Sequence, residues 1–192
     1  MSYVIKKVLV TVLRPLAALS NRLDSLHRLW ANARLNSALS GAVHPSVVVL
    51  STPELHGTRQ ITLGKNLYLY RDLYLETQES GCIKIGNDVV LSRGVHLVAF
   101  AKIVLEDGVM IGEYSSIRDA NHRITTGRSV RHSGHLGKPV IICRNAWIGR
   151  GVTILGGVTI GEGAVIGANA VVTKNIPAGA VAVGIPAHVI KP

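Results

Sequence analysis

An aliphatic residue recurs at every sixth position through most of the chain after residue 43. The clearest run extends without a slip from residue 142 to residue 177 and consists of ICRNAW, IGRGVT, ILGGVT, IGEGAV, IGANAV and VTKNIP. Shorter runs with the same spacing begin at Leu63, Ile85 and Leu105. An α-helix needs apolar residues every three or four positions, and a half-buried strand needs them every two. A spacing of six therefore indicates a different architecture.

The hexads predict a short strand, a corner and then the next strand. Each aliphatic side chain then points to a shared axis, and Gly tolerates the backbone dihedrals of the corners. Three hexads, about 18 residues, close one triangular turn, and successive turns stack at the ~4.8 Å spacing of neighbouring strands. One turn cannot bury its own core, so stacking provides the stability. We therefore predict an all-β fold, a parallel β-helix over residues 43–183, rather than a Gly-rich sandwich.

The first 40 residues follow a helical period instead. Spacings of three and four along one helical face connect Leu16, Leu19, Leu23, Leu26, Trp30 and Ala33. A break near residues 15–21 would divide the segment into two helices, because it contains Pro15, Ser20 and Asn21. Six Lys or Arg side chains stand against Asp24, a balance of +5. Such a basic amphipathic helix either lies on an anionic membrane surface or packs on the rest of the protein or on a neighbouring subunit.

The net charge of the whole chain, +10, predicts an anionic partner. Nucleic acid is not the expected partner, because neither an aromatic platform nor a reading helix accompanies the charge. The two cysteines, Cys82 and Cys143, have no metal-type spacing, and no metal site is predicted. Residues 8–13 follow two lysines as in a signal peptide, but Arg14 and Pro15 interrupt the apolar run. A cleaved signal is therefore not expected.

The hexads, with AWIGRGVTILGGVTIGEGAVIGANAVVTKNIP and the closing VGIPAHVIK, resemble the hexapeptide-repeat acyltransferases over about residues 43–191. Within that superfamily the chain is similar to the maltose and galactoside O-acetyltransferases and to the capsule and exopolysaccharide O-acetyltransferases. The resemblance implies a left-handed β-helix, an exception to the usual right-handed crossover. It also implies a homotrimer with active sites between subunits and acetyl-CoA as co-substrate. Residues 1–40 do not resemble the N-terminal segment of the sugar O-acetyltransferases, which argues against small free sugars as acceptors.

The resemblance implies that His122 is the catalytic residue, because the family places its histidine at the end of a hexad before a loop. Imidazole titrates near neutral pH, so it can take the proton of an attacking hydroxyl and pass it to the departing thiolate. Asp119 is expected to orient the imidazole. Asn121 is expected to bind the acceptor. Both side chains also suit a turn, which is the alternative.

The resemblance also implies which residues contact the two substrates. Trp147 matches the tryptophan that lines the family's acceptor or acetyl pocket, with packing between subunits as the alternative. Ser92 lies near the position of an acceptor-contacting Asn in the family and departs from it in residue type. His96 is a further candidate for an acceptor contact, with a structural role as the alternative. Two lysines are expected to meet the CoA phosphates, and the full set of expected acetyl-CoA contacts is Gly149, Arg150, Gly167, Ala168, Thr173, Lys174 and Lys191.

Residues 123–139 form a predicted loop that is basic throughout, with four Lys or Arg and no acid. Such a loop would attract CoA or an acidic glycan and cover the active site, whereas a solvated loop is the alternative. Residues 184–192 form a predicted C-terminal tail, in which prolines stop regular strand formation.

The resemblance, together with the basic N-terminal helix, implies an O-acetyltransferase that moves an acetyl group from acetyl-CoA to a sugar hydroxyl in surface-polysaccharide biosynthesis (capsule, exopolysaccharide or lipopolysaccharide). It would be cytoplasmic, with peripheral contact to the inner face of the membrane through residues 1–34. The alternative enzyme acetylates a small sugar, an amino sugar or an antibiotic. A zinc site like that of β-helical carbonic anhydrases is not expected, because Ile117 and Gly127 occupy the positions of its close His pair. A non-catalytic scaffold is disfavoured by His122 together with Trp147.

Overall fold

The structure is a computed structural model that describes residues 2–127 and 129–191, apart from the side chains of residues 19–22. The described residues form one long helix, α1 (Tyr3–Ala38), a 3-10 helix at Val130–His132 and a series of short strands. The strands are β1 (Val48–Val49), β2 (Glu54–Gly57), β3 (Ile61–Leu63), β4 (Tyr68–Leu69), β5 (Tyr74–Thr77), β6 (Cys82–Ile85), β7 (Val90–Leu91), β8 (His96–Ala99), β9 (Lys102–Leu105), β10 (Met110–Ile111), β11 (Ser116–Arg118), β12 (Ala120–His122), β13 (His135–Gly137), β14 (Val140–Ile142), β15 (Trp147–Ile148), β16 (Thr153–Ile154), β17 (Thr159–Ile160), β18 (Val165–Ile166), β19 (Val171–Val172), β20 (Val181–Val183) and β21 (His188–Lys191).

Three sheets enclose the core. Sheet A has the order β1-β4-β7-β10-β15-β18-β20-β21, sheet B β19-β16-β11-β8-β5-β2, and sheet C β17-β14-β9-β6-β3. The chain visits A, B and C in turn, and neighbouring strands are parallel except β20 and β21. This is the left-handed parallel β-helix of about seven turns that the hexads and the resemblance predict.

The opening aliphatic residue of each hexad lies on the axis, as predicted. In the long run Ile142, Ile148, Ile154, Ile160 and Ile166 are all buried. In the same run the fifth residue of each hexad is buried as well, so each of these six hexads places two apolar side chains inside. Parallel pairing stacks identical positions of successive turns, for example Ile111 on Ile148 on Ile166. The core is therefore a set of aliphatic columns that run the length of the β-helix.

The helix α1 is continuous, and Pro15 lies inside it, so the expected break into two helices is not found. Only its last part packs on the β-helix, through Ala31, Leu35 and Leu39. The side-chain amide of Asn32 also donates a hydrogen bond to the Val47 carbonyl (3.2 Å).

The predicted apolar face of α1 does not pack on the rest of this chain. Leu16, Leu23, Leu26 and Trp30 are exposed, and Leu19 lies outside the described side chains. The prediction that this face packs on the rest of the same chain is therefore wrong, because a different side of the helix contacts β1. Within residues 2–127 and 129–191, no helix combines the length and apolar character that a membrane span requires.

The expectation that prolines prevent a strand at the C-terminus is wrong. β21 pairs antiparallel with β20 at the edge of sheet A, with Val183 opposite His188. Pro186 lies in the turn between the two strands, where no ladder hydrogen bond is needed.

Candidate active site

The hexad repeat stops after β11 because the chain leaves the coil at the corner between sheets B and C. β12 and β13 form an antiparallel ribbon in which Asn121 faces Leu136 and His122 faces His135. The exposed tip of the ribbon holds the 3-10 helix, and the chain then returns to sheet C through β14. Residues 123–127 and 129–134 thus lie at the far end of a two-stranded ribbon that projects from the coil.

Asp119 fixes the base of this ribbon. Its buried carboxylate accepts hydrogen bonds from the backbone N–H groups of Phe100 (2.7 Å), Ala101 (2.8 Å) and Lys102 in the preceding turn. The Asp119 carbonyl oxygen accepts a hydrogen bond from the Lys138 N–H (2.7 Å). This bond joins the two ends of the ribbon where it leaves the coil, a place called the neck of the ribbon below. Among the described residues, no hydrogen bond joins this carboxylate to the His122 ring. The prediction that Asp119 orients the imidazole is therefore corrected, because its oxygens serve the neighbouring backbone.

His122 is exposed and belongs to a short row of rings at the base of the ribbon. Its ring centroid lies 4.4 Å from that of His135, which lies 4.2 Å from that of Phe100. The row links the ribbon to the corner that Asp119 holds. Asn121, next to His122, is exposed as well. Sequence reasoning missed His135 and Phe100, because their contact with His122 arises from the register of the ribbon.

Trp147 lies on another side of the molecule. It is the first residue of β15, points outward from sheet A and is 55% exposed. Its neighbours on adjacent strands are Met110 and Val165. In a triangular coil, sheet A is the side opposite the corner between B and C. His122 and Trp147 of one chain therefore do not share a site.

The expected cofactor residues fall into separate groups. Gly149 and Arg150 follow β15, and Gly167 and Ala168 follow β18, so all four lie at the corner between sheets A and B. Ser92, after β7, lies at the same corner. The Arg150 guanidinium stands 5.7 Å from the centre of the Tyr114 ring.

The two glycines of this group have a packing role that the structure makes visible. A Cβ at Gly149 would lie 2.8 Å from the Ala168 nitrogen, and one at Gly167 would lie 2.6 Å from a Val183 methyl. Successive turns therefore approach each other closely at these positions. The approach of a pantetheine arm to the same glycines stays a prediction.

The remaining cofactor residues are exposed cations and a hydroxyl. Thr173 and Lys174 follow β19 at the corner between sheets B and C, the corner that His122 leaves two turns earlier. Lys191 ends β21 at the edge of sheet A. The chain thus brings Thr173 and Lys174 to the same corner as His122, and it separates them from Arg150, Ala168 and Lys191.

His96 belongs to a polar cluster on the outer face of sheet B. The rings of His56, Tyr74 and His96 stack across three successive turns, with centroids 4.8 Å and 4.3 Å apart. The Tyr74 hydroxyl donates to one oxygen of Glu76 (2.7 Å), and the Gln78 amide donates to the other (2.8 Å).

Burial, and secondly the charge of Arg118, lower the pKa of His96. The hydrogen bond to Glu76 is the main reason that the pKa of Tyr74 is raised. Sequence reasoning named only His96 in this cluster. His56, Tyr74 and Glu76 could have been found from the alternation of the strands ELHG, YLET and HLVA, which places polar or aromatic side chains on the outer face.

No group of three or more His, Cys, Asp or Glu side chains within the described ranges is placed to hold a metal ion. Two clefts of the same residues, about 630 and 550 Å³, lie beside α1, and His122 lines neither of them. The His122 side chain is exposed on the surface of the single chain.

Comparisons with known proteins place this fold in a family. The family described as "Bacterial transferase hexapeptide (six repeats)" matches residues 139–174. A Dictyostelium discoideum protein named "Putative acetyltransferase" is 36% identical over 137 residues, which is 70% of each chain. The chain spans about half the length of the first curated relatives that it matches, from 47% to 58%.

Solved structures share the fold. A maltose O-acetyltransferase from Clostridium difficile matches with a TM-score of 0.53 and 29% identity, over 88% of this chain and 87% of that one. A hexapeptide-repeat acetyltransferase from Vibrio cholerae, complexed with acetyl-CoA, matches with a TM-score of 0.56 and 22% identity, over 87% of each chain. The uninterrupted hexads, the parallel β-helix and these similarities lead to one conclusion: the chain belongs to the hexapeptide-repeat acetyltransferase family.

Proposed function

We propose that the protein transfers an acetyl group from acetyl-CoA to a sugar hydroxyl, with His122 as general base. The observation that carries the proposal is the position of His122, exposed at the base of the ribbon where the β-helix is interrupted. The relatives named as acetyltransferases and the neighbour complexed with acetyl-CoA support the donor. The neighbour that is a maltose O-acetyltransferase supports a sugar hydroxyl as acceptor.

The chemistry needs no covalent enzyme intermediate. The His122 imidazole takes the hydroxyl proton while the hydroxyl oxygen attacks the thioester carbonyl carbon. A C–O bond forms, the C–S bond then breaks, and the imidazolium returns the proton to the departing thiolate. Holding both substrates in line supplies a large part of the rate. Cations at the same corner, of which Lys174 is one, would neutralise the CoA phosphates.

A direct test compares free-thiol release from acetyl-CoA by the wild type, His122→Ala and the control His44→Ala. His44 is a distant histidine whose ring hydrogen-bonds to Ser46 (2.8 Å). We expect His122→Ala to lower the rate on a hydroxyl acceptor by roughly 10²–10⁴ and His44→Ala to leave it unchanged. An undiminished rate in His122→Ala would move the base elsewhere. A rate retained only on amine acceptors would favour the small-molecule alternative, because amines need less base catalysis.

The proposal includes a homotrimer with sites between subunits. The support is that His122 and Trp147 lie on opposite sides of one chain, and that Trp147 and Met110 form an exposed apolar pair on sheet A. Trp147 of one subunit would then face His122 of the next. Mixing inactive His122→Ala subunits with inactive Trp147→Ala subunits should restore part of the activity, because some interfaces regain both residues. Complete inactivity of the re-formed mixture would contradict a shared site.

The proposed acceptor is a surface polysaccharide or its lipid-linked precursor, met at the inner face of the membrane. The support comes from α1. An apolar stripe runs along it through residues that are each 46% to 64% exposed, namely Ile5, Leu9, Val12, Leu16, Leu23, Leu26 and Trp30. Lys7 and Arg14 project from the opposite side, and the first acid is Asp24. A broad apolar face with cations opposite it is typical of helices that lie in a membrane interface.

Sedimentation with lipid vesicles tests this contact. We expect binding to vesicles that contain phosphatidylserine and little binding to neutral vesicles. The triple change of Lys6, Lys7 and Arg14 to Glu should weaken binding about 100-fold or more, since each cation near the surface contributes roughly 1 kcal/mol. The control Lys84→Glu changes a cation on the outer face of β6 and should not matter. Equal sedimentation of the triple variant would remove the membrane from the proposal.

A further inference from the structure

The outer face of sheet B carries an organised set of polar groups that the acetyl-transfer mechanism does not use. Because His56, Tyr74 and His96 stack along the coil axis, the ring faces between neighbours are covered and the ring edges remain for contact with a ligand. Glu76 accepts one hydrogen bond at each oxygen, from Tyr74 and from Gln78. A carboxylate has about four lone-pair sites, so two acceptor sites remain on a group that is already held in place.

Arg118 supplies donors beside these acceptors. It is the outward residue at the end of β11, where it lies opposite Val98, and Val98 in turn lies opposite Glu76 on β5. Within the described ranges, no carboxylate lies within ion-pairing distance of it. The guanidinium, with five N–H donors, is therefore available to a ligand.

The same face continues into a cleft of about 550 Å³ between the end of α1 and the first turn. Its polar lining includes Arg34, Ser37, Thr52, Glu54, His56 and Arg59. His56 belongs both to the cleft and to the ring stack, so the cleft and the stack form one continuous surface.

We propose that this surface, from the cleft to Arg118, binds sugar residues of the acceptor chain that neighbour the one acetylated at His122. Hydroxyl groups both donate and accept hydrogen bonds, and the surface offers fixed acceptors and free donors side by side. Glu54 and Glu76 stand beside Arg34, Arg59 and Arg118, so charges of both signs are close to balance on this surface. A chain of neutral sugars is therefore the ligand class that fits. The inference rests on the proposed function, since it concerns the same acceptor.

The path to His122 is short. Arg118 and His122 are four residues apart, so their Cα atoms lie within about 14 Å of each other at full extension. A second connection runs through β8, which begins at His96 and ends at Ala99. The next residue, Phe100, contacts His135, and His135 contacts His122. An acceptor of several sugars can span this surface, and a single sugar cannot.

Acceptor length is the variable that tests the proposal. Acetylation of glucose, maltose, maltotetraose and maltohexaose would be followed by release of the CoA thiol. We expect kcat/KM of the wild type to rise about tenfold from glucose to maltohexaose, a gain of ~1.4 kcal/mol, mainly through KM. Glu76→Gln and Arg118→Gln should reduce that ratio to about threefold or less, equivalent to ~0.7 kcal/mol at most. The matched control Lys84→Gln, on the outer face of sheet C, should keep the full ratio.

The outcomes separate this inference from the proposed function. Glucose acetylation with no length dependence, or an unchanged ratio in both variants, would overturn the subsite and leave the acetyltransferase in place. If no member of the series is acetylated, saturation-transfer NMR of maltohexaose with the intact protein decides. Binding that Arg118→Gln removes supports the subsite, and no binding overturns it. A changed oligomeric state of either variant in sedimentation velocity would also overturn it, because the face would then be a subunit contact.

Discussion

The β-helix and the helix α1 contain the same kinds of apolar residue and use them in opposite ways. In the β-helix the columns through Ile142, Ile148 and Ile154 are fully buried within one chain. In α1 the stripe from Ile5 to Trp30 is about half exposed along its whole length. A coil of hexads closes on itself, so each inward side chain meets the next turn. A single helix cannot bury its own apolar stripe, so the stripe needs another surface to pack against.

The largest expected effect comes from removing the same side chain in both regions. Leu105→Ala, in a column of the β-helix, should lower the free energy of unfolding by about 2–5 kcal/mol. Leu26→Ala, on the exposed stripe, should change it by less than about 0.5 kcal/mol. Denaturant titration of both variants measures the difference. A comparable loss in Leu26→Ala would show that the stripe is buried in the assembled protein, and the comparison would fail.

The second effect concerns the point where the β-helix departs from its own pattern. Asp119→Ala leaves the backbone N–H groups of Phe100, Ala101 and Lys102 without their acceptor. Hydrogen bonds to a charged group contribute about 1.5–3 kcal/mol each to stability, and water replaces part of that at the corner. We expect a loss of about 3 kcal/mol, measured by thermal unfolding, with partial rescue by Asp119→Asn. A stable Asp119→Ala variant with the activity loss of His122→Ala would instead restore its direct role at the imidazole.

The contrast also explains how much could be predicted from the sequence. The hexads predicted the β-helix because each buried position is set by contacts one turn away, at a fixed sequence distance. The helical period of residues 16–33 predicted a helix and its apolar stripe but not what covers that stripe. The side that packs, through Ala31 and Leu35, depends on where β1 lies, which no local pattern encodes.

The site follows the same division. His122 was predicted because the resemblance places a catalytic histidine where the repeat is interrupted, and that interruption is visible in the sequence. Its role in catalysis stays a prediction. Asp119 was assigned to the wrong partner, because its carboxylate crosses to Phe100 in the preceding turn. The contacts of His135, and those of Tyr74 with Glu76, depend on ribbon register and on outward positions. The sequence shows these residues only as scattered polar side chains.

A smaller effect is expected where the ribbon's neck meets the following turn. A Cβ at Gly156 would lie 2.5 Å from the Asp119 carbonyl oxygen, whereas one at Gly41 would meet nothing within 4 Å. Gly156→Ala should therefore cost about 1–3 kcal/mol, the usual range for overpacking, and Gly41→Ala should be close to neutral. Thermal unfolding of the pair measures this. Equal melting temperatures of Gly156→Ala and Gly41→Ala would show that the backbone at the neck moves to accept the added methyl group. The ribbon would then be packed less closely on the coil than successive turns are on each other.

The smallest effect is a pH dependence carried by the outer face of sheet B. Because burial and Arg118 lower the pKa of His96 below its usual 6.5, the unfolded chain binds a proton there at higher pH than the folded chain does. Between the lowered pKa and about 6.5 the unfolded state holds more protons, so stability falls as pH falls through that window. The drop in melting temperature from pH 7.5 to pH 5.5 should therefore be smaller in His96→Gln than in the wild type. His132→Gln, at the exposed tip of the ribbon, should follow the wild type. An unchanged slope in His96→Gln would mean that the ring stack opens to water, and the face would then be as loosely held as the exposed part of α1.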